Sequence, residues 1–507
     1  MITAIEIENF KGIGERQRIE LKPITLLFGP NSGGKSTIID ALHYLREILE
    51  HRNLDADRTI SGGESVDLGG FANFVHGRKL NTPLRISVDM DIKAGRLLTY
   101  LDPDETPFGF EDCVTQARVS IEVRWSHVNR HPFVSMYSVD INGEPLATIG
   151  RQAGRASCEL THFAARHPIL KEPQIPEFMT QGPVFVSGQW DALPRLEQPI
   201  CFVQPSADEK SPAEEGESFT QMGDPDGFAH AGITRLIAGP ARLLRDALRE
   251  MQYLGPLRKA PPRHYVPLRH HDPARRANGL AAWDELHYVV PEVFAEVSDW
   301  LSRPDRLATG YYLRRFQTIE LDTADQSIVA LLGEHAYDEA DLEDMRIRVS
   351  SSPRRLRLAL VDAHTGVKLD PPDVGEGVAQ ILPVVVALLV DVTGLVVIEQ
   401  PELHVHPAIQ VALGDLLIYA AGWHTEPLII ETHSEHLLLR LLRRIRQTTE
   451  GDHEVDDFAL KSEGLSVTYM DQHDGAIRAT PLRVDETGEF VDRWPKGFFE
   501  ERAGELF

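Results

Sequence analysis

Two short runs of β-branched and aromatic residues open the chain, Ile2–Ile7 and Ile24–Phe28. A Gly-rich turn separates the second from an amphipathic stretch, Ser36 to about Leu49, so the pattern reads strand, loop, helix. From Leu84 to Ile141, RISVDMDI, ARVSIEVRW and FVSMYSVDI alternate apolar and polar positions between Pro, Asn and Gly, which predicts an antiparallel sheet. The polar, acidic segment Gln204–Ser218, QPSADEKSPAEEGES, reads as a linker, and a helix is predicted from about Gly232 to Met251. The last third alternates helix (Gly377–Val392), strand (Leu395–Ile398), helix (Pro407–Ala421), strand (Leu428–Ile430) and helix (Glu435–Arg446). Such alternation predicts a parallel sheet covered by helices. No heptad pattern and no fixed-period repeat crosses the centre, which argues against long coiled-coil arms.

Length and charge sharpen this picture. A chain of 507 residues and 56.8 kDa implies two or three lobes. With 52 Lys+Arg against 77 Asp+Glu, the net charge of −25 excludes a uniformly basic nucleic-acid coat. Cations nevertheless cluster in YLGPLRKAPPRHYVPLRHHDPARR, Tyr253–Arg276. With Arg354, Arg355 and Arg357 and the stretch Arg440–Arg446, the run Arg258–Arg276 is either a local DNA path or a set of solvated and structural arginines. Cys113, Cys158 and Cys201 lie too far apart for a zinc ribbon or a redox pair and fit a reducing cytoplasm. The longest uncharged apolar run, Gly377–Val390, falls short of the roughly 20 residues of a membrane span, and MITAIEIENFKG lacks a signal peptide's layout. A soluble protein that is not exported is expected.

The chemistry concentrates in a few segments. GPNSGGKS, Gly29–Ser36, fits G-x-x-x-x-G-K-[ST] between a strand and a helix. Backbone N–H groups of Gly29, Asn31, Ser32, Gly33 and Gly34 would cradle phosphates, Lys35 would reach the β and γ oxygens, and Ser36, with Thr37 beside it, would sit on Mg²⁺. In LVVIEQPE, Leu395–Glu402, Glu399 follows the apolar strand directly and is the expected magnesium carboxylate. Gln400 stands where many such ATPases carry a catalytic glutamate. A glutamine orients water but accepts no proton, so either Glu402 is the base or hydrolysis is slow; Glu402 as a mere helix-start carboxylate is the alternative. His433, at a strand's C-terminal end, either senses the γ-phosphate or caps the next helix. His404, His406, His433 and His436 match no zinc spacing. DVGEGVAQILP, Asp373–Pro383, puts Gly375 and Gly377 at a helix start, a second anion-binding terminus or only a turn.

This ordered set resembles the ABC-type ATPase heads of the SMC and RecF class, and more narrowly the OLD-like ATPases of bacteria and phages. NFKGIG with GPNSGGKST is similar to their N-terminal lobe, DVGEGVAQ to their signature helix, and VVIEQPELHVHP and IIETHSEHLLLRL to their Walker B, D-loop and switch-histidine segments. The ending WPKGFFEERAGELF is similar to the C-terminal extension of a subgroup of prokaryotic ATPases in this class. The resemblance implies an α/β fold: an ABC-type P-loop ATPase head with a mixed sheet flanked by helices, an antiparallel β lobe and a helical or irregular insertion. Its expected domains are an N-terminal lobe over 1–150, an insertion over 151–345 and a C-terminal lobe over 346–507. It further implies ATP and Mg²⁺ as cofactors and a homodimer in which Gly375 and Gly377 face the partner's nucleotide, with His406 near a position usually held by Asp. Too little chain follows His433 for the nuclease domain of full-length OLD proteins. A separate effector such as a nuclease, as in Septu-type antiphage systems, is therefore implied. The alternatives are a nucleotide-switched scaffold with little turnover and a DNA-repair ATPase of the RecF type; the lack of a membrane segment counts against a transporter subunit.

Overall fold

The computed structural model describes residues 1–494 except 60–61, 65, 94–112, 152–156, 171–178, 180–182, 188, 204–227, 264, 271, 321–327, 330–338, 391–393 and 452–456. The acidic stretch 204–218 and the tail beyond Trp494 lie outside the described residues.

Three sheets build the molecule. The largest is an antiparallel sheet of nine strands: β1 (Ile2–Glu8), β2 (Gln17–Glu20), β4 (Leu84–Asp91), β5 (Gln116–Ser126), β6 (His131–Ile141), β7 (Glu144–Gly150), β8 (Cys158–Phe163), β9 (Phe185–Val186) and β10 (Phe202–Val203). Its spatial order runs β10-β9-β8-β7-β6-β5-β4-β1-β2. The second, in the order β11-β15-β16-β3-β17-β18, contains β3 (Ile24–Phe28), β11 (Gln252–Leu254), β15 (Val396–Glu399), β16 (Leu428–Thr432), β17 (Leu465–His473) and β18 (Ala476–Leu482). All its neighbours pair in parallel except β18, which returns antiparallel to β17. A small antiparallel sheet joins β12 (Tyr311–Ile319), β13 (Arg354–Asp362) and β14 (Lys368–Leu369).

Residues β3, β15 and β16 are buried along their whole length, as parallel strands covered on both faces must be. Their period of two divides the molecule into two cores. Leu27, Val397 and Ile429 face the nine-stranded sheet and the helices Ser36–His51 and Phe228–Arg249. Leu26, Ile398 and Ile430 face the helices Leu280–Tyr288, Pro291–Ser302, Glu376–Leu389, Pro407–Ala421 and Glu435–Glu450.

The stretch 151–345, expected as an insertion, contributes strands to both larger sheets. Strands β8–β10 extend the N-terminal sheet past 150, and β11 pairs beside β15 in the central sheet. These strands are two to six residues long and flanked by irregular chain, too short for an alternating pattern to show.

His43 lies wholly buried in the helix Ser36–His51, edge-on to Tyr253 with ring centroids 4.7 Å apart. Burial, helped by Arg46 and Lys11, holds its pKa down at about 3 against the ordinary 6.5. The folded chain thus demands a neutral ring. The associated stability is complete above pH 6.5 and drains away as pH falls from 6.5 towards about 3. Urea midpoints followed over that window should fall less steeply for His43→Leu than for the native chain; equal slopes would contradict this account.

Candidate functional site

The loop after β3 is shaped by the far end of the chain. A Cβ on Gly29 (φ +145°) would come within 2.0 Å of the Met470 carbonyl in β17, and one on Gly33 within 2.4 Å of the same oxygen. At Gly34 (φ +83°) a Cβ would run into the Ile477 side chain of β18. Glycine is required there by packing as well as by backbone angle. Gly33 N–H closes the turn onto the Pro30 carbonyl (2.9 Å), while Asn31 and Ser32 are exposed at its tip. Lys35 is buried, its Nζ donating to the carbonyls of Pro30 (2.9 Å) and Gly29 (3.2 Å). Burial lowers its pKa, opposed by Glu431, Glu402 and Glu399. Ser36 and the buried Thr37 begin the helix.

Two carboxylates stand side by side in register on the adjacent strands, Glu399 on β15 and Glu431 on β16. Glu431 Oε2 accepts from Ser36 Oγ at 2.8 Å, and its Oε1 lies 3.9 Å from Lys35 Nζ. Glu399 Oε1 accepts from the Tyr253 hydroxyl at 2.8 Å. Burial, reinforced by the charge of Glu431, pushes Glu399 up to about 8. Burial raises Glu431 as well, against the Ser36 bond and Lys35. The sequence reading passed over Glu431, although IIET repeats the apolar-strand-then-Glu signal of VVIE. Tyr253 carried no sequence signal, because its role depends on β11 lying beside β15.

Beyond β15 the chain turns sharply through Gln400 (φ +44°), whose N–H donates to the Glu431 carbonyl at 2.7 Å. Glu402 then reaches across to β16, where its Oε1 accepts from the His433 N–H at 2.6 Å. Its Oε2 is buried, with Thr432 beside the carboxylate, and the His433 ring is held against the Gly29 backbone. Burial raises the pKa of Glu402 and drives that of His433 down to about 4, so the imidazole is neutral near pH 7. Ser434 caps the helix Glu435–Glu450 through Leu437 N–H, and His406 caps Pro407–Ala421 by accepting from Ala408 N–H, while Glu402 binds the N–H of His433, the residue before the Ser434 cap.

Gly375 is the N-cap of the helix Glu376–Leu389 and is exposed, with nothing within 4 Å of an added Cβ. A Cβ on Gly377 would press on the His404 carbonyl at 2.9 Å. The contacts of these two glycines are with their own surroundings and not with the Gly29–Ser36 loop. One turn further along, Gln380 exchanges two hydrogen bonds with the backbone of Arg258 (3.2 and 2.8 Å). Arg258 is only 4% exposed, and its Nη2 donates to the carbonyls of Glu399 and Gln400.

Arg258 therefore cannot belong to a surface DNA path, and most of the run is similarly committed. Arg275 pairs with Asp284, Arg276 with Glu285, Arg440 and the buried Arg444 with Asp415, and Arg446 with Glu489. Alternating charge in a sequence does not reveal which cations are neutralised internally.

Residues 245–440 match the family model described as "AAA domain, putative AbiEii toxin, Type IV TA system", and residues 4–45 match a second, described as "AAA domain". Both matched segments are similar to AAA domains. The first segment holds the Gly29–Ser36 loop and the second holds Glu399, Gln400, Glu402 and His433, so the two meet across β3, β15 and β16. The second match begins at 245, inside what the sequence reading set apart as insertion. The two segments contain the motifs on which the expected resemblance to ABC-type ATPases of the SMC and RecF class rests. Similar solved structures include an SMC head bound to the C-winged-helix domain of ScpA (11% identity, TM-score 0.41, 95% of this chain and 98% of that one). An Smc head with an extended coiled coil, bound to the C-terminal domain of ScpA from Pyrococcus furiosus, covers 100% and 98% (11%, 0.37). The SMC head domain from Thermotoga maritima covers 95% and 99% (10%, 0.36). No curated protein matches the chain.

The ATPase domain offers a donor set suited to a magnesium nucleotide: loop glycines that leave no room for a Cβ, a buried ammonium, a hydroxyl, and two buried carboxylates with raised pKa values. Such carboxylates ionise readily when a divalent cation approaches. Among the described residues no helix is long and apolar enough to cross a membrane.

Proposed function

We propose that this ATPase domain binds ATP with Mg²⁺ on the Gly29–Ser36 loop and hydrolyses it slowly, two copies closing head to head to control a separate effector protein in bacterial antiphage defence. The observation that carries the reading is the convergence of Lys35, Ser36, Glu431, Glu399, Glu402 and His433 at the ends of three neighbouring strands. Magnesium, when bound, would neutralise the charge on the transferring phosphoryl group. Ser36, Glu399 and Glu431 would hold it, the carboxylates through water. Lys35 would release the Gly29 and Pro30 carbonyls to meet the phosphates. Glu402 Oε2 would take the proton of the attacking water, Gln400 would orient that water, and His433 Nε2 would hydrogen-bond the γ-phosphate. The exposed Gly375 and the adjacent Gly377 suit contact with a second copy's nucleotide. The family description that mentions a toxin system supports the defence reading, with a nuclease or toxin as the effector.

Gln400 favours a second reading, a nucleotide-switched scaffold in which binding matters more than turnover. ATP turnover and light scattering with and without ATP separate the two. The primary reading expects turnover in the native chain and nucleotide-dependent doubling of mass. Lys35→Ala should weaken ATP binding by roughly 10- to 100-fold, the worth of a charged hydrogen bond to phosphate. Native turnover no higher than that of Lys35→Ala would favour the scaffold, and a protomer indifferent to ATP would remove the dimer.

A further inference from the structure

A second concave site lies between the proline-punctuated segment after Arg258 and the start of β13. Its volume is about 590 Å³, and it shares no lining residue with the Gly29–Ser36 loop. Five arginines, Arg263, Arg269, Arg354, Arg355 and Arg357, line it on a chain whose net charge is −25. Arg355 and Arg357 share one exposed carboxylate, Glu320, at 2.8 and 3.5 Å, and Arg354 has no carboxylate partner among the described residues. The wall therefore keeps a net positive charge, and a concave surface concentrates such a field.

Two further features of the wall are not explained by charge. Arg269 lies over the face of Tyr288 at 5.4 Å from the ring centroid, and Tyr288 is 47% exposed, so a flat cationic and aromatic surface is open to a planar ligand. Trp283 forms part of the same wall, is 1% exposed, and its indole N–H has no hydrogen-bond partner among the described residues. Arginines grip phosphate, aromatic rings stack on bases, and a cavity of this size encloses one or two nucleotides rather than a duplex.

We propose that this groove binds a nucleotide, phosphate on Arg354, Arg355 and Arg357 and base against Tyr288, at a site separate from the P-loop. The nucleotide is either free or part of a single strand. Arg263 connects the groove to the ATPase machinery: it pairs with Asp373, two residues before Gly375. A ligand that drew Arg263 inward would loosen the segment leading into that helix.

Fluorescence anisotropy tests this with adenosine 5′-monophosphate and a short single-stranded oligoadenylate as separate probes, in a Lys35→Ala background that weakens the P-loop. Either probe should bind, and the one that does identifies the source. Tyr288→Ala should weaken binding about tenfold, the effect of one lost stacking partner. Arg354→Ala with Arg355→Ala should lower the slope of log affinity against log salt by about two. These side chains are exposed and outside both cores, and ATP binding by the same variants with Lys35 restored shows whether the fold and the P-loop are intact. Binding of neither probe, binding that survives both variants, or equal displacement by polyglutamate overturns the proposal. The proposed ATPase function does not depend on this result.

Discussion

Glu402→Gln should lower the rate of ATP hydrolysis by about 10²- to 10³-fold while leaving ATP affinity within a few-fold of native, the range lost with a general base. The structure gives the reason. Glu402 Oε1 is occupied by the His433 N–H, which fixes the carboxylate, and Oε2 is buried. Burial raises its pKa, which brings a carboxylate closer to the neutral range where a base works best. Glutamine keeps the shape and the bond to His433 but cannot take the proton. Gln400, at the head of the same turn, lacks that capacity. Single-turnover measurements with saturating ATP decide the matter. Unchanged hydrolysis in Glu402→Gln would return the base to an unidentified group and sink this assignment.

Asp415→Ala should destabilise the folded chain by about 3–5 kcal/mol, the penalty for stranding buried cations. Asp415 is 4% exposed and receives both fork nitrogens of Arg440 (2.9 and 2.5 Å) and of Arg444 (2.7 and 2.9 Å). These contacts tie the helix Pro407–Ala421 to Glu435–Glu450. They also hold the Asp415 carboxyl below its usual range in spite of burial. Removing the carboxylate leaves Arg444 buried, charged and unpaired. Arg443, exposed on the same helix, provides the control: Arg443→Ala should shift stability by less than about 0.5 kcal/mol. Urea unfolding of both variants reads the difference, and a loss at Asp415 no larger than at Arg443 would contradict the buried-pair account.

How much of this was legible in the sequence depends on how local each signal is. The loop Gly29–Ser36 and the strands on either side of it are written in consecutive residues, and VVIE and IIET give away the buried parallel strands by their unbroken apolar runs. Strands β8–β11 were missed because two to six residues carry no readable period. Tyr253 and Arg258 acquire their meaning only from neighbours more than a hundred residues distant, and for Arg258 the local context of prolines and cations pointed outward to solvent. The arginines of the Glu435–Glu450 helix misled for a similar reason: their partner, Asp415, lies on the preceding helix.

The pressure of Met470 and Ile477 on the glycines of the nucleotide loop has a bearing on biogenesis. The strands that mould the loop are made long after the loop itself. A nascent chain would therefore carry the phosphate-binding sequence through a long stretch of synthesis without the walls that give it shape, and competence to take up nucleotide would come only once β17 and β18 have been made.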